Sequence, residues 1–353
     1  MVTTASYRTY ENLFLHEAAK RYGFDPDRIR HVGGFENLVY ETERDGRELI
    51  IRITPSTKRT PDYVAAELDW MLRLADYGVQ VARPVESLNG RLMEAAETEA
   101  EPLLMGVFEK APGGHVGADH PLWGPRLFEQ WGQLTGRMHR HSETYAPPEG
   151  IPRRLGSALD EVYPEPSDEE APSADRDREG TDEAGPEAVK QALARVYTRI
   201  AADVERLPKD GGRYGMCHRD LHHGNFFADE AGRMTAFDFD DCGDDYYLQD
   251  IAMPVYYASV FASWDKPETD PGRVSDFAGR FLDDFLRGYE RERRIGSGWL
   301  KQLPMFVEKR RLDLCLILFD IWGSEKATAG QREWISANSK AILRDIPCMS
   351  LHL

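Results

Sequence analysis

Residues Met216–Ala252 constrain this chain more than any other stretch. They read MCHRDLHHGNFF, a short turn, then MTAFDFDDCGDDYYLQDIA. His218-x-Asp220 is followed five residues later by Asn225, and Asp238 closes an apolar run. Phe226-Phe227-Ala228 and Met234-Thr235-Ala236-Phe237 predict two short strands, with Asp229-Glu230-Ala231-Gly232 as the turn between them. Such a hairpin leaves Asn225 just before its first strand and Asp238 at the end of its second. Both then lie at one end and can share an ion. Phosphoryl transfer needs a carboxylate that accepts a hydroxyl proton, an amide oxygen and a second carboxylate for a hard cation. A polar surface hairpin has similar spacing, but the complete order is far more specific than any part of it.

His218-Arg219-Asp220-Leu221-His222-His223-Gly224-Asn225, followed by Phe237-Asp238-Phe239-Asp240-Asp241, resembles the aminoglycoside phosphotransferase and choline kinase superfamily. The resemblance implies an α+β, bilobal protein-kinase-like fold. A small β-rich N-lobe would span residues 1–108 and a larger, mostly helical C-lobe residues 109–353. It implies ATP and Mg²⁺ as cofactors and the hydroxyl of a small molecule as acceptor. Asp220 would be the base, Asn225 and Asp238 the metal ligands. His218 would pack and hydrogen-bond the loop, and Asp250 would anchor it from a helix N-terminus. The superfamily usually has Gly where this chain has Arg219, as protein kinases have. The D-x-D-D form is similar also to the homoserine-kinase-like and bacterial stress-response-kinase-like branches. Two other readings stand beside the first: a Ser/Thr protein kinase, which the Arg219 form permits, and a nucleotide-binding protein without turnover, given Arg52 where kinases usually carry Lys. Aminoglycosides, choline-like amines, homoserine and other alcohols all fit as acceptors.

The N-terminal part is read on the same frame. Residues 1–30 carry an amphipathic helix (Leu13, Leu15, Ala18, Ala19, Tyr22) that Gly23 stops. His31–Glu41 reads as strand, glycine turn, strand. A Gly-Gly turn alone is usually only a hairpin, but in a kinase-like fold the backbone N–H groups of Gly33, Gly34 and Asn37 would cover phosphates. Leu49–Ile53 is a third strand, with Arg52 where kinases usually carry Lys. Arg keeps the charge and can engage phosphate in a bidentate way. Asp62–Tyr77 is helical, with Val64, Leu68, Met71, Leu72 and Ala75 on one face. Its Glu67 falls where kinase-like proteins place the partner of the strand cation. Leu103–Lys110 is an apolar strand leading to a hinge, where adenine would meet backbone between Val107 and Glu109.

Composition sets the outer limits. The 353 residues are 41% apolar, enough for a sizeable core, and carry a formal charge of −17. That balance argues against nucleic acid as the main partner, since phosphate backbones attract basic patches. It is compatible with a cationic substrate, and equally with acidity that serves solubility. Cys217, Cys242, Cys315 and Cys348 have no metal-ligand or disulfide-framework spacing. No signal peptide is visible, and the longest apolar stretch, Leu312–Trp322, is broken by Asp313 and Asp320 and too short for a bilayer. A cytoplasmic protein without a membrane partner is the expectation.

The remaining features are read as structural. Leu127–Ser142 forms a helix whose His139 and His141, two residues apart, splay apart and serve as capping or surface residues. Residues 161–187 are rich in acid, Pro, Ser and Gly, which predicts a flexible insertion. His218, His222 and His223 with Cys217 and Cys242 form a competing zinc candidate, disfavoured because no Glu follows His218 and Gly224 interrupts a helix. Helices follow at Leu248–Ser263, Val274–Arg291, Leu300–Gly323 and Gln331–Arg344. Trp264, Tyr246, Tyr247, Tyr256 and Tyr257 are potential acceptor-pocket residues, though such aromatics more often belong to a core. Asp240 is a candidate for a second ion or the acceptor. Asp244 and Asp245 are candidates for an amine, or are plain turn residues.

Overall fold

The structure, a computed structural model, describes residues 11–34, 37–99, 101–154, 185–263, 266–322 and 327–353. Most of the acidic 161–187 stretch, and Trp264, lie outside these residues. The chain forms two compact units. The first comprises the described residues of Met1–His115, Thr144–Arg154 and Gly224–Cys242; the second those of Val116–Glu143, Leu155–His223 and Gly243–Leu353.

The first unit is built on an antiparallel five-stranded sheet in the order β1-β2-β3-β5-β4. Its strands are β1 Arg30–Gly33, β2 Leu38–Arg44, β3 Arg47–Pro55, β4 Met93–Ala96 and β5 Leu103–Glu109. From Ile51 to Pro55, β3 is buried on both faces: Ile51 and Ile53 enter the core of this unit, and Arg52 and Thr54 are buried on the other side. Helix α1, Glu11–Tyr22, lays Phe14, Ala18 and Tyr22 into a core with Tyr40, Ile51, Ile53, Met105 and Val107. Helix α2, Pro61–Asp76, starts where Thr60 accepts a hydrogen bond from the Tyr63 N–H and Pro61 supplies a helical φ. The hairpin β7 Phe226–Ala228 and β8 Met234–Ala236 belongs to this unit. It is tied down at both edges: Ala82 N–H donates to Ala236 O at 2.8 Å, and Ala228 N–H to Gly114 O at 3.0 Å.

The second unit is helical. It holds α3 Pro125–Ser142, α4 Pro186–Glu205, α5 Tyr247–Val260, α6 Pro271–Tyr289, α7 Leu303–Trp322 and α8 Ala329–Leu343. A two-stranded ladder pairs β6 Tyr214–Cys217 with β9 Gly243–Tyr246. Helices α3 and α6 cross with backbones nearly touching. A Cβ on Gly132 would sit 1.8 Å from Phe285 O, and one on Gly288 would sit 1.7 Å from Glu129 O. Helix α5 is buried along its whole length. Helices α4, α7 and α8 share a core of Leu193, Tyr197, Leu312, Cys315, Leu316, Ile342 and Leu343.

Two of the C-terminal helix starts lie three residues from the sequence reading. Helix α6 begins at Pro271, because Asp270 caps it through the Gly272 and Arg273 N–H groups. Helix α7 begins at Leu303, because Ser297–Leu300 closes a separate short turn. No described helix is long and apolar enough to cross a membrane.

Candidate active site

In the second unit β6 delivers the chain to His218. The loop that follows is gripped from α5. The Asp250 carboxylate accepts from the His218 N–H at 2.7 Å and from the Arg219 N–H at 2.6 Å. Behind it, His139 Nε2 lies 3.1 Å from Asp250 Oδ2, and His139 Nδ1 lies 2.8 Å from the Tyr289 hydroxyl. His139 is fully buried and stacks on Tyr247. This corrects the surface role read from its spacing with His141: α3 is covered here by α5 and α6, and the splay sends His139 inward. Asp250 stays ionised, because His139, His218 and the Arg219 amide outweigh the upward push of burial.

Burial presses the His139 pKa below its ordinary value of 6.5, and Asp250 offsets this only in part. The unfolded chain therefore takes up a proton that the native chain refuses. The contribution to stability is present above pH 6.5 and is lost as pH falls below it towards the native pKa. Thermal melts between about pH 7.5 and about pH 5.5 should show Tm falling with acidification, and His139→Gln should flatten that fall.

The Asp220 N–H donates to His218 Nδ1 at 3.3 Å. Its carboxylate is faced on both oxygens: His222 Nε2 lies 3.5 Å from Oδ2 and Arg310 NH2 3.5 Å from Oδ1. Both partners lean on Tyr257. The His222 ring stacks on it at 4.8 Å, and Arg310 lies 5.1 Å above it while donating to its hydroxyl. Burial alone would raise the Asp220 pKa, but His222, Arg310 and His218 hold it below the usual carboxylate range. A quarter of the side chain remains open to solvent, so the group is ionised and reachable. Among the described residues, the one histidine–cysteine–carboxylate grouping of metal-ligand size is His139, Cys217 and Asp250. Its carboxylate already holds two amides, and burial pushes the Cys217 thiol well up, away from the thiolate a metal needs.

The chain passes from the second unit to the first between His223 and Gly224. There Asn225 is 7% exposed, and its carbonyl accepts from the Phe237 N–H at 3.0 Å. That bond closes the open end of the β7–β8 hairpin and brings Asn225 level with the residue before Asp238. Asp238 itself adopts φ 61°, a left-handed conformation uncommon for residues with a side chain, though Asp takes it more readily than most. The donor set at this end, one amide and one carboxylate, is oxygen only, which fits Mg²⁺. Asp240 pairs through Oδ1 with Arg59 at 3.3 Å, while Arg59 also reaches Asp241 at 2.8 Å.

In the same unit Arg52 and Glu67 form a bidentate pair at 2.7 and 2.6 Å, with 6% and 1% exposure. Burial alone would lower the Arg52 pKa; Glu67, then Asp240 and Asp238, more than reverse it. Gly34 adopts φ 120°, and a Cβ there would strike Asn37 O at 1.9 Å. Gly33 also has positive φ, and Asn37 is buried, its Oδ1 without a hydrogen bond among the described residues. At the end of β5, Val107 O accepts from Val85 N–H and Glu109 N–H donates to Arg83 O, each at 2.8 Å. These two groups fasten β5 to residues 83–85, so a base would have to use other main-chain groups of this stretch.

Sequence reasoning missed Arg59, Arg154 and Arg310. Arg310 left a faint trace: Lys309-Arg310-Arg311 interrupts a helix that is otherwise core, and all three side chains are largely buried. Arg59 and Arg154 sit in ordinary polar stretches and carried no signal.

Residues 27–299 match the family described as "Phosphotransferase enzyme family". The chain belongs to that family. This phosphotransferase is 31% identical over 342 residues to the amicoumacin kinase of Bacillus subtilis (strain 168), covering 96% of this chain and 94% of that one. Among solved structures it is similar to an amicoumacin kinase in complex with AMP-PNP and Ca²⁺, with a TM-score of 0.81 at 28% identity. That match covers 100% of this chain and 98% of the other. A microcompartment-associated aminopropanol kinase gives a TM-score of 0.67 at 22% identity, covering 94% and 95%, a likeness of fold. The phosphotransferase thus has the α+β protein-kinase-like fold, with its antiparallel sheet N-terminal and its helices C-terminal. It is a small-molecule kinase of this family.

Proposed function

We propose that this phosphotransferase moves the γ-phosphoryl group of ATP to a hydroxyl of amicoumacin, or of a small molecule of the same kind. The observation that carries this reading is the 31% identity to an amicoumacin kinase over nearly the whole of both chains. Asp220, ionised and oriented by His222 and Arg310, positions the acceptor hydroxyl and takes its proton. Asn225 and Asp238 hold Mg²⁺, which when bound neutralises charge on the β- and γ-phosphates. Arg52, fixed by Glu67, presents a rigid cation to phosphate oxygens. Gly33, Gly34 and Asn37 give the phosphates close backbone contact, and the main chain at Val107–Glu109 meets adenine. Catalysis is then chiefly positioning and charge stabilisation in a fixed polar frame.

The test is turnover with Mg²⁺ and ATP against amicoumacin, an aminoglycoside, choline, homoserine and aminopropanol, read by mass spectrometry. We expect a single-phosphoryl mass gain on amicoumacin. Turnover on another acceptor with none on amicoumacin would move the acceptor class. Phosphate found only on protein side chains would overturn the small-molecule reading of the site.

A further inference from the structure

The segment Thr144–Arg154 belongs to the first unit although the described residues before and after it in the chain belong to the second. It is fastened at both ends. Near its start the Tyr145 hydroxyl donates to Asp69 Oδ2 at 2.8 Å, and the ring lies 4.6 Å from that of Trp70 on α2. At its end is Arg154, 2% exposed. Arg154 NH1 donates to Phe239 O at 3.3 Å and approaches Cys242 Sγ at 3.1 Å; NH2 donates to Asp240 O. The guanidinium carbon lies 3.6 Å from the centre of the Tyr63 ring.

Taking a guanidinium out of water costs several kcal/mol unless charge or hydrogen bonds replace the solvent. A carboxylate is the usual answer. Here the Asp240 carboxylate is paired with Arg59, and Arg154 gives NH1 and NH2 to the main-chain carbonyls of two successive residues, with NH1 also on Cys242 Sγ. Those residues directly follow Asp238, which sits at φ 61° in the sparsely populated left-handed region. Arg59 restrains the side chains of this loop and Arg154 its backbone. Only a planar fork can reach two adjacent carbonyls while lying flat on an aromatic ring; a lysine ammonium cannot.

We propose that Arg154 is a positioning residue: it locks the Phe239–Asp240 backbone and thereby sets the direction of the Asp238 carboxylate towards the metal. The inference rests on the reading of Asp238 as a Mg²⁺ ligand.

The experiment uses the full chain with AMP-PNP and Mn²⁺ as the probe, and reads bound Mn²⁺ by electron paramagnetic resonance. Wild type should bind Mn²⁺, and Asp238→Ala should not. In Arg154→Ala the half-saturating Mn²⁺ concentration should rise about 10–100-fold, the range for losing a group that orients a metal ligand. AMP-PNP affinity measured in EDTA should stay at the wild-type value. Free guanidinium at low millimolar concentration should restore Mn²⁺ binding, and Arg154→Lys should fall between the two. Unchanged Mn²⁺ binding in Arg154→Ala would overturn the proposal. So would an equal loss of metal-free nucleotide affinity, or a failure of guanidinium to repair a variant that melts cooperatively. Should Asp238→Ala bind Mn²⁺ like wild type, the metal assignment itself falls, and this inference with it.

Discussion

Asp220→Asn should reduce turnover by about 10²–10⁴-fold, the usual contribution of a positioned general base. ATP binding should survive, because nothing in the reading gives Asp220 a nucleotide contact. The substitution keeps the size of the side chain and leaves the Asp220 N–H donating to His218. It removes the charge that His222 and Arg310 hold in place. Single-turnover kinetics alongside nucleotide binding by calorimetry separate the two effects. An Asn variant that turns over at the wild-type rate would rule Asp220 out as the base. One that loses nucleotide binding would mean the loop supports the phosphates instead.

The second large effect lies at Arg52 and Glu67. Both are buried, so Glu67→Met should strand the guanidinium and destabilise the fold by about 3–5 kcal/mol. Arg52→Met should strand the carboxylate at a comparable cost. The double variant Arg52→Met/Glu67→Met should be more stable than either single one, because no unmatched charge remains. Its turnover should nevertheless stay as low as that of Arg52→Met alone. Urea unfolding with steady-state rates on the three variants tests this split. Recovery of turnover in the double variant would show that the pair serves the fold and does nothing for the phosphates. Asp238 and Asp240 also act on Arg52, so Glu67→Met leaves the cation less isolated than a lone buried charge.

The parts of the site that could be read beforehand are those the chain presents in order. Asp220, Asn225 and Asp238 fall within one stretch whose hairpin follows from its alternation and turn residues, so local rules place the last two together. The Arg52–Glu67 pair joins β3 to α2, and nothing local announces it; only the order of elements in a resembling family suggested looking. His139 was misread because helical spacing says where a side chain points on its own helix, and not what covers that face. Asp250 was read as an anchor by resemblance, and the two amides it holds give that anchoring a geometry. Arg154 was out of reach for a different reason. Its partners are backbone carbonyls, which every residue has, so no residue pattern marks the contact.

Arg219 invites a last consequence. Its φ of 70° is a conformation that glycine adopts freely, and the superfamily usually has glycine there. The Asp250 carboxylate holds the Arg219 amide in that shape whatever the side chain does. The arginine side chain turns to Asp245, 3.1 Å away, and so leaves the fold of the loop unaltered. Glycine and arginine are therefore two spellings of one bend. Which of them a chain carries speaks to a neighbouring carboxylate, and is no guide to whether the phosphoryl group lands on a protein or on a small molecule.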